Sequence, residues 1–358
     1  MKTKIDNVII NQNLNGTYIV FEAGPTHYGI ESAKKLAKIA KESGGNAIKF
    51  QLLYADRLMA IKDTVFTYKC LKYDEQGNEK FYDVEERAYD VLKRRELKKN
   101  EWRELKSYCD EIGITMFTTA TFKDEVDFIV DELKMDSIKI NSGDVNELEF
   151  ISYCASKGVN IQIDTGNADI WEIEKAVITC EEVGCENIII HLCPSGYPAH
   201  LESINLKMLI TLRQLFPKYA IAFSDHSPGW EMDIAAVALG ADMVEKTITL
   251  DRTIKSTEHC FSLEKNDAEK FTKSIKELEI ALGNSRRTIP SEVREKRKIA
   301  RRSPYSLKNL NKGDVIQEID FEFKRPGTGL CSEDFYYIIG KKLNKDITSG
   351  TALTHEYF

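Results

Sequence analysis

The sequence has no apolar run that approaches the about 18 to 20 residues needed to cross a membrane as a helix. Its opening stretch, MKTKIDNVII, carries lysines, but Asp6 and Asn7 interrupt the apolar segment that a secretory signal would need. We therefore predict a cytoplasmic protein with no membrane partner.

Two further absences narrow the class of protein. The eight cysteines form no CxxC pair, which favours reduced thiols over disulfides or zinc and leaves a nucleophilic cysteine as the less favoured alternative. No basic patch is interleaved with aromatic residues, and the net charge is -7. A nucleic-acid partner is therefore disfavoured.

Short β-branched runs alternate with amphipathic helical stretches, a pattern typical of parallel strands joined by helical crossovers. The eight predicted strands span residues 18–24, 46–51, 114–119, 137–143, 160–166, 187–193, 219–225 and 243–249. No GxGxxG motif opens a helix, which argues against a dinucleotide-binding sheet. These units predict an α/β fold with a TIM-type (β/α)8 barrel over residues 1–285.

Three segments depart from this rhythm. Residues 54–95 are an insertion after the second strand, and we predict that they form a lid or an interface element over the barrel mouth. Residues 286–300 lie in a run of mixed charge, which predicts a solvated linker more than a nucleic-acid arm. Residues 301–358 have the short strands and turns of a small β-rich domain.

An internal repeat supports the small domain. NLNKGDVIQEIDF (309–321) aligns without gaps to DITSGTALTHEYF (346–358), and Gly313 and Gly350 fall in register. Two similar halves predict a compact, pseudo-symmetric module.

The active site of such a barrel is formed at the carboxyl ends of the strands. Lys49 and Lys139 occupy alternate positions of apolar strands, so they are expected to face the barrel interior. One such lysine is more often the partner of a buried carboxylate, but two with nearby hydroxyls favour a small, doubly charged ligand such as a phosphorylated carboxylate. The other polar residues at predicted strand ends are Glu22, Gln51, Ser142, Asp144, Ser195, Tyr197, Ser224, Asp225, His226, Glu245 and Lys246.

Two histidines are candidates for chemistry. His226 follows a predicted strand in the turn SDHSPG, a position that suits a metal ligand or an acid–base group, with a structural role as the alternative. His191 lies inside an apolar strand and could equally be a hydrogen-bonded core residue.

Longer motifs extend these observations. They are FEAGPTHYG, AIKFQ, KINSGD, TGNADIWEIEKAV, CPSGYPAHLESINL, SDHSPGWEMDIAAVALGA, EKTITLDR, EHCFSLE and KRPGTG. With them the sequence resembles, over almost its whole length, the sialic acid (N-acetylneuraminate) synthases and their relatives that make legionaminic or pseudaminic acid. The resemblance implies a barrel followed by an antifreeze-like (SAF) domain, in a domain-swapped homodimer.

The resemblance also implies a reaction and a set of site residues. The reaction joins phosphoenolpyruvate to an amino-sugar aldehyde, an N-acetylated hexosamine such as N-acetylmannosamine or a diacetamido-trideoxyhexose, and releases phosphate. The implied phosphoenolpyruvate contacts are Lys49, Lys139, Ser142 and Ser195, and the implied sugar contacts are Glu22, Gln51, Asp144, Tyr197 and Arg325 of KRPGTG. Ser224 is a further predicted substrate contact, and the predicted catalytic residues are Glu22, Lys49, Lys139 and His226. For Arg325 a turn-flanking surface charge is the alternative.

The implied cofactor is a divalent ion, Mn²⁺ or Mg²⁺, held by two histidines. His226 matches one of them. The predicted second ligand is His191, although it stands one position too early, because the slot counted back from Tyr197 and Pro198 falls on Leu192. Neighbouring strand residues face opposite sides, so this offset predicts that His191 faces away from the site unless the strand bulges.

Three departures from the resemblance bear on the substrate. Asp144 stands where glutamate is common, Thr247 stands in place of the histidine of EKHF, and Ala120 replaces a threonine. We therefore expect a sugar pocket that differs from one for N-acetylmannosamine. Two rival functions stay open, a non-catalytic sugar-binding relative and a synthase of the deoxyheptulosonate or deoxyoctulosonate type. The latter would need a clamp of arginines for a second phosphate, which the strand ends lack.

Overall fold

The computed structural model describes residues 3–283 and 285–358. The chain divides after Gly283 into a large and a small compact unit. Within the described ranges, no helix combines the length and the apolar character that crossing a membrane requires.

The large unit is built around a closed barrel. In chain order its strands are β1 (Lys4–Ile5), β2 (Val8–Ile9), β3 (Tyr18–Glu22), β4 (Ala47–Gln51), β5 (Val65–Tyr73), β6 (Glu79–Arg87), β7 (Thr115–Thr119), β8 (Ser137–Ile140), β9 (Asn160–Asp164), β10 (Ile188–Leu192), β11 (Ala220–Asp225) and β12 (Met243–Thr247). The barrel order is β3-β4-β7-β8-β9-β10-β11-β12, with β12 pairing back onto β3, and all of these pairs are parallel. The predicted (β/α)8 barrel is confirmed.

Helices surround this barrel. They are α1 (Gln12–Asn15), α2 (Ile30–Glu42), α3 (Ala55–Leu58), α4 (Ala88–Lys93), α5 (Lys99–Ile112), α6 (Lys123–Asp127), α7 (Leu148–Ser156), α8 (Ile170–Glu182), α9 (Leu201–Ile204), α10 (Met208–Leu215), α11 (Glu231–Ala238) and α12 (Lys265–Leu282). In α2 the apolar residues recur every three or four positions, so one face is buried against the strands while lysines and glutamates face outward.

The barrel interior changes character along its axis. Toward the amino ends of the strands it is filled by apolar side chains, and the β1–β2 hairpin adds Ile5 and Ile10 to the same cluster. Toward the carboxyl ends the inward positions carry charged and hydroxyl side chains, among them Lys49, Lys139 and Glu245, all less than 5% exposed. The fold therefore concentrates buried charge at one end of the barrel, which is the end that carries active sites in barrels of this kind.

The insertion of residues 54–95 contains α3, α4 and the antiparallel β5–β6 hairpin. Leu71 of the hairpin packs against Cys260 and Phe261, in the loop that follows β12. The guanidinium of Arg252 also pairs with Glu79 of β6, at 2.5 Å. The hairpin therefore rests on a loop at the carboxyl ends of the barrel strands.

The small unit contains α13 (Ser291–Ala300), β13 (Ser303–Ser306), β14 (Phe321–Lys324) and α14 (Ser332–Ile338). The prediction of a plain linker over residues 286–300 missed α13, a helix with no buried residue. Its sequence, SEVREKRKIA, has helix-forming residues but no apolar stripe, so periodicity gave no signal.

The internal repeat is visible in the backbone of the small unit. Leu310 and Ile347, equivalent positions of the two halves, exchange reciprocal backbone hydrogen bonds of 2.9 Å. Gly313 and Gly350 both adopt positive φ, 94° and 81°, which a residue with a side chain would resist. Each half also ends in a 3-10 turn at the same register, Glu318–Asp320 and His355–Tyr357.

Candidate active site

Two buried lysines meet on one carboxylate at the barrel mouth. The Nζ atom of Lys49 lies 2.5 Å from Oε2 of Glu22 and 2.6 Å from Oε1 of Glu245. The Nζ atom of Lys139 lies 2.8 Å from the same Oε1 atom and 3.2 Å from Oδ2 of Asp164. Each of these side chains comes from the last residues of a different barrel strand, so the closed sheet itself brings them together.

These groups have shifted proton affinities. Burial acts to lower the pKa of Lys49, but Glu22 and Glu245 raise it well above its ordinary value. Burial acts to raise the pKa of Glu245, but attraction to Lys139 and Lys49 brings it well below its ordinary value. Burial raises the pKa of Glu22, despite the opposing effect of Lys49. Glu245 is therefore the counter-ion that stays ionised, and Glu22 is the carboxylate that takes up a proton more readily.

Glu22 and Gln51 enclose a glycine at the mouth. A Cβ atom on Gly24 would lie 2.5 Å from Cγ of Gln51 and 2.7 Å from Oε1 of Glu22, so no larger residue fits without displacing both. The backbone N–H of Gly24 donates to that Glu22 oxygen. This glycine of the FEAG motif is needed for the close approach of the two predicted sugar contacts.

His191 lies inside the barrel, and both of its ring nitrogens are hydrogen-bonded. Nε2 lies 2.8 Å from the amide oxygen of Gln162, which can only accept, so this nitrogen carries the proton. Nδ1 then accepts from the hydroxyl of Ser224, at 2.9 Å. The same hydroxyl oxygen accepts a hydrogen bond from Lys139 at 2.8 Å. His191 thereby fixes the Ser224 hydroxyl, which in turn helps to hold Lys139.

The expectation that His191 would face away from the site is therefore wrong. Its register with Asp164 on β9 and Ala222 on β11 places it on the inward face, and it is fully buried. The ring lies between its hydrogen-bond partners, close to the charges of Lys139 and Asp164. In that arrangement neither nitrogen directs a lone pair toward a metal ion.

His226 occupies a different environment, in the loop after β11. Its Nδ1 lies 3.2 Å from the carbonyl oxygen of Pro194 and 4.0 Å from Sγ of Cys193. Its ring packs against that of Tyr197, with 4.6 Å between the centroids. Because Nδ1 donates to a carbonyl, Nε2 is the nitrogen that keeps a lone pair. Burial lowers the pKa of this histidine, so its neutral form is favoured.

Lys246 anchors the His226 loop from the outer side of the barrel wall. Its fully buried ammonium contacts the carboxylate of Asp225, donates to the carbonyl of Ser227 at 2.6 Å and lies 3.6 Å from Asp233 of α11. Although Lys246 stands at a predicted strand end, it does not face the mouth, because its neighbour Glu245 takes the inward position. Its contribution is to fix the two residues that flank His226.

A second group of hydroxyl and amide side chains lies around Gly166, in the loop after β9. Ser195 donates to the carbonyl of Gly166, and the side chain of Asn167 donates to Ser142 at 3.2 Å. A Cβ atom on Gly166 would lie 3.1 Å from the carbonyl oxygen of Cys193, so the loops approach closely here. Ser142 and Ser195, both predicted phosphoenolpyruvate contacts, therefore both bond to the loop that follows β9.

Two predicted sugar contacts lie outside these groups. Asp144, in the turn after β8, accepts a hydrogen bond from Asn141 at 3.3 Å, and burial raises its pKa. Arg325 lies in the small unit, exposed at the end of β14.

Comparison with known proteins gives the family. The chain matches the NeuB family over residues 36–287 and the SAF domain over residues 301–356. It belongs to the NeuB family. The resemblance to sialic acid synthases and the small SAF domain, both predicted from the motifs, are confirmed.

Several curated relatives of the chain are synthases. The N,N'-diacetyllegionaminic acid synthase of Legionella pneumophila is 30% identical over 345 residues, which cover 95% of this chain and 94% of the relative. The N-acetylneuraminate-9-phosphate synthase of Homo sapiens is 30% identical over 336 residues, which cover 91% and 88%. A solved N-acetylneuraminic acid synthetase from Leptospira borgpetersenii, in complex with citrate, is 26% identical with a TM-score of 0.70 over 82% of this chain and 95% of that chain. The prediction that the chain is an enzyme of this kind is confirmed.

Of the two histidines predicted to hold a metal ion, only His226 keeps a ring nitrogen available for a ligand. His226 is positioned for a ligand, but His191 is engaged inside the barrel, and Thr247 ends β12 at the position where the resemblance implies a histidine. Over residues 3–283 and 285–358, no group of three His, Cys, Asp or Glu side chains is arranged to hold a metal ion. A divalent ion held by two histidines stays a prediction, and the chemistry below is derived from the protein side chains.

Sequence reasoning missed four mouth residues. Asp164 is the last residue of β9, so the strand-end rule could have identified it, and Asn167 lies in the motif TGNADIWEIEKAV. Glu258 and Arg95 gave less signal, because they lie in charged loop segments whose burial depends on tertiary packing. Glu258 is distinguished by a left-handed backbone, with φ of 71°, which is uncommon for a residue with a side chain.

Proposed function

We propose that this chain condenses phosphoenolpyruvate with an N-acetylated hexosamine or a diacetamido-trideoxyhexose to give a nonulosonic (sialic-acid-like) keto acid and phosphate. The observation that carries the proposal is the pair of buried lysines that converge on Oε1 of Glu245. Two ammonium groups held at the mouth of one barrel suit the carboxylate and the phosphate of a single small ligand. The NeuB-family membership supports the same reaction class.

Binding of phosphoenolpyruvate changes the partners of these lysines. Lys49 and Lys139 are paired with protein carboxylates, so the incoming carboxylate and phosphate replace part of those contacts at the ammonium groups. Ser142, Asn167 and Ser195 supply hydroxyl and amide donors beside them. The two ammonium groups contact the ligand in a place where water is largely excluded, which strengthens each contact.

The chemistry forms one carbon–carbon bond and breaks one carbon–oxygen bond. The methylene carbon of phosphoenolpyruvate attacks the aldehyde carbon of the open-chain sugar, and the aldehyde oxygen takes up a proton. Water adds to the cationic carbon that bears the phosphate group and loses a proton. The tetrahedral adduct then releases inorganic phosphate and becomes the ketone of the keto acid. Overall, phosphoenolpyruvate, aldehyde and water give keto acid and phosphate.

Glu22 is the side chain best suited to exchange a proton with the sugar. Its pKa is raised by burial, and it borders Lys49 on one side and the predicted sugar contact Gln51 on the other. A carboxylic acid whose pKa is shifted toward neutrality can donate a proton and recover it in the same cycle. His226 and Tyr197 pack against each other, and we expect this pair to help orient the aldehyde.

The proposal includes a domain-swapped homodimer. In it the SAF domain of one copy delivers Arg325 to the sugar site of the other, where a guanidinium suits the polar edge of the sugar. The exposure of Arg325 in the small unit leaves its side chain accessible for such a contact.

The test of the reaction is phosphate release. Purified protein is incubated with phosphoenolpyruvate and a panel of sugars, with and without Mn²⁺, and the product is identified by mass spectrometry. The panel contains N-acetylmannosamine, diacetamido-trideoxyhexoses, and pentose and tetrose phosphates. We expect one nonulosonic acid per phosphate released, and no release without sugar. If none of the sugars supports phosphate release, the proposal is contradicted and a sugar-binding role is favoured. Release only with pentose or tetrose phosphates would identify the rival keto-acid synthases.

A further inference from the structure

A path of buried polar side chains runs through the barrel interior beside the apolar cluster. That cluster takes its barrel-strand residues from β3, β4, β7, β10, β11 and β12, whereas β8 and β9 present hydroxyl and amide side chains inside the barrel. The residues of the path are Lys139, Ser224, His191, Gln162, Ser137, Asn160 and Asn187. All except the half-buried Asn187 are at most 1% exposed. Branched apolar residues ordinarily fill such a barrel, so the path replaces packing that they would otherwise supply.

Backbone groups fix the end of the path that lies at the amino ends of the strands. The N–H of Lys4 donates to Oδ1 of Asn187 at 2.8 Å, and Nδ2 of Asn187 donates to the carbonyl of Lys4 at 2.9 Å. A backbone N–H can only donate and a carbonyl can only accept, so the Asn187 amide has one orientation. Nδ2 of Asn160 donates to Oδ1 and to the backbone carbonyl of Asn187, both at 3.1 Å. Oδ1 of Asn160 is therefore the atom that faces Ser137.

From there each hydrogen bond determines the next one. The hydroxyl of Ser137 donates to Oδ1 of Asn160 at 2.7 Å, so its oxygen accepts from Nε2 of Gln162 at 2.8 Å. The amide of Gln162 consequently presents Oε1 to Nε2 of His191, 2.8 Å away, and that ring nitrogen carries the proton. Nδ1 of the ring is left to accept from the hydroxyl of Ser224 at 2.9 Å. The tautomer of His191 thus follows from Gln162, which is itself oriented from the amino ends of the strands.

The opposite end of the path imposes the same direction. An ammonium group can only donate, and that of Lys139 donates to Oγ of Ser224 at 2.8 Å. The hydroxyl proton of Ser224 is therefore directed to Nδ1 of His191. All hydrogen bonds of the path thus run one way, and each buried polar side-chain atom along it has a partner. A fully satisfied network of this kind holds its members in one arrangement.

We propose that Gln162 is a positioning residue for phosphoenolpyruvate. By selecting the tautomer of His191 it fixes Ser224, and Ser224 fixes the direction in which the ammonium of Lys139 is presented. When an anionic ligand replaces part of the carboxylate contacts of Lys139, the neutral hydroxyl is the contact that this lysine keeps. The path transmits orientation and not protons, because the amide of Gln162 does not titrate. This inference rests on the proposed function, since it concerns how the same lysine holds its ligand.

The tautomer of His191 is the first measurement. Full-length protein labelled with ¹⁵N in its histidines gives long-range ¹⁵N–¹H spectra, which distinguish protonated from unprotonated ring nitrogens. The signals of His191 are identified by their loss in His191→Asn. Near neutral pH we expect Nε2 to be protonated and Nδ1 to be unprotonated in the wild type. A proton on Nδ1, or on both nitrogens, overturns the inference, and this outcome needs no variant of Gln162.

Gln162→Met removes the acceptor at similar side-chain length. The proton of His191 should then move toward Nδ1, and calorimetry should show phosphoenolpyruvate binding about 3- to 10-fold more weakly, as for one neutral hydrogen bond. Thr3→Val is the matched control, because it removes a buried hydroxyl outside the path, which donates to the carbonyl of Ile188 at 3.1 Å. It should change neither the tautomer nor the affinity. Wild-type affinity in folded Gln162→Met, or an equal loss in Thr3→Val, would overturn the inference.

A double-mutant cycle shows whether Gln162 acts through Ser224. Ser224→Ala cuts the path beside Lys139, so adding Gln162→Met to it should weaken phosphoenolpyruvate binding by about twofold or less. Losses that multiply in the double variant would leave Gln162 a structural role only and overturn the inference. Ser137→Ala releases the Gln162 amide but keeps its acceptor, so it should give a smaller loss of the same sign. If thermal melting shows that Gln162→Met does not fold, Ser137→Ala takes its place in the cycle.

These measurements separate the inference from the proposed function, because they need phosphoenolpyruvate but neither sugar nor turnover. Condensation by the wild type, together with unaltered phosphoenolpyruvate binding in Gln162→Met, would remove the positioning role alone. Binding that depends on Gln162 through Ser224, without phosphate release from any sugar, would remove the reaction and keep the positioning role.

Discussion

Oε1 of Glu245 lies 2.6 Å from the ammonium of Lys49, and the same oxygen lies 2.8 Å from the ammonium of Lys139. One carboxylate oxygen thus holds the two positive charges of the mouth close together. The pair is pre-organised for a ligand with two anionic groups, so little ordering cost is left for binding.

The lysine pair gives the first prediction. Lys139→Met should raise the KM for phosphoenolpyruvate by about 10- to 100-fold or more, because one charge-assisted contact is lost. Steady-state kinetics with phosphoenolpyruvate varied at saturating sugar measures the change. Lys38→Met removes an equally charged but exposed side chain of α2 and should leave KM unaltered. An unchanged KM in Lys139→Met would remove this lysine from the site.

The two histidines should respond differently to substitution. His226→Ala should abolish metal-stimulated turnover and weaken Mn²⁺ binding, while the fold persists. His191→Asn should leave Mn²⁺ binding as in the wild type but raise the KM for phosphoenolpyruvate, because Ser224 and then Lys139 lose their anchor. Mn²⁺ titration by electron paramagnetic resonance and steady-state kinetics separate the effects. Loss of Mn²⁺ binding in His191→Asn would restore it as a metal ligand.

Lys246→Met should destabilise the protein. Removing the ammonium leaves Asp225 as a buried carboxylate without its counter-ion, at a cost of about 3 to 5 kcal/mol. Chemical denaturation measures the free energy of unfolding. The double variant Lys246→Met, Asp225→Asn should recover part of the loss, because it removes the stranded charge. If the single variant unfolds as the wild type does, this ion pair does not hold the His226 loop.

Buried histidines predict a loss of stability in acid. Burial, with a contribution from Arg95, lowers the pKa of His27 to about 3 and that of His259 to about 4, from 6.5. Between pH 6.5 and these lowered values the unfolded chain binds a proton at each histidine, whereas the folded chain does not. The stability contribution is therefore complete above pH 6.5 and is lost as the pH falls toward 4 and below. Each histidine adds a slope of up to about 1.4 kcal/mol per pH unit.

Denaturation at a series of pH values tests this slope. His259→Asn should flatten it, since asparagine does not take up a proton but can still bond to Thr249, the partner of His259. His200→Asn, at an exposed position, should not flatten it. A slope that is the same in His259→Asn and the wild type would show that His259 does not contribute to acid sensitivity.

The proposed domain swap predicts rescue between two inactive variants. Lys139→Met damages the barrel and Arg325→Ala damages the SAF domain, so a mixed dimer would contain one site with both residues intact. Co-expression of differently tagged copies should restore about a quarter of wild-type activity if the subunits pair at random. Homodimers of each variant are the controls. Activity of the mixture equal to the average of the two would contradict the swap.

The barrel could be predicted because its signal is local and repeated. Each strand is a short β-branched run, and alternation places Lys49 and Lys139 inside before any contact is known. The same rule gave the wrong face of the strand for His191. The resemblance puts the ligand at Leu192, and two adjacent residues of a strand face opposite sides. It also could not separate Glu245 from Lys246, since either of two adjacent residues can be the inward one.

Other features depend on packing that no local pattern reports. Arg95 stands among charged residues in the sequence, and its burial follows from the way the insertion folds back over the barrel mouth. The Ser224 bridge between Lys139 and His191 joins three different strands. Such contacts have large sequence separations, so they follow only from the closed barrel.

The reciprocal bonds between Leu310 and Ile347 give the small domain a local two-fold axis in its backbone. A module of this kind offers a similar outline to any neighbour in two orientations half a turn apart. Side chains distinguish the two orientations, and Arg325, in the stretch that connects the two repeats, has no counterpart in the other half. The residue proposed to reach a second copy is therefore also one that makes the two orientations of the module chemically different.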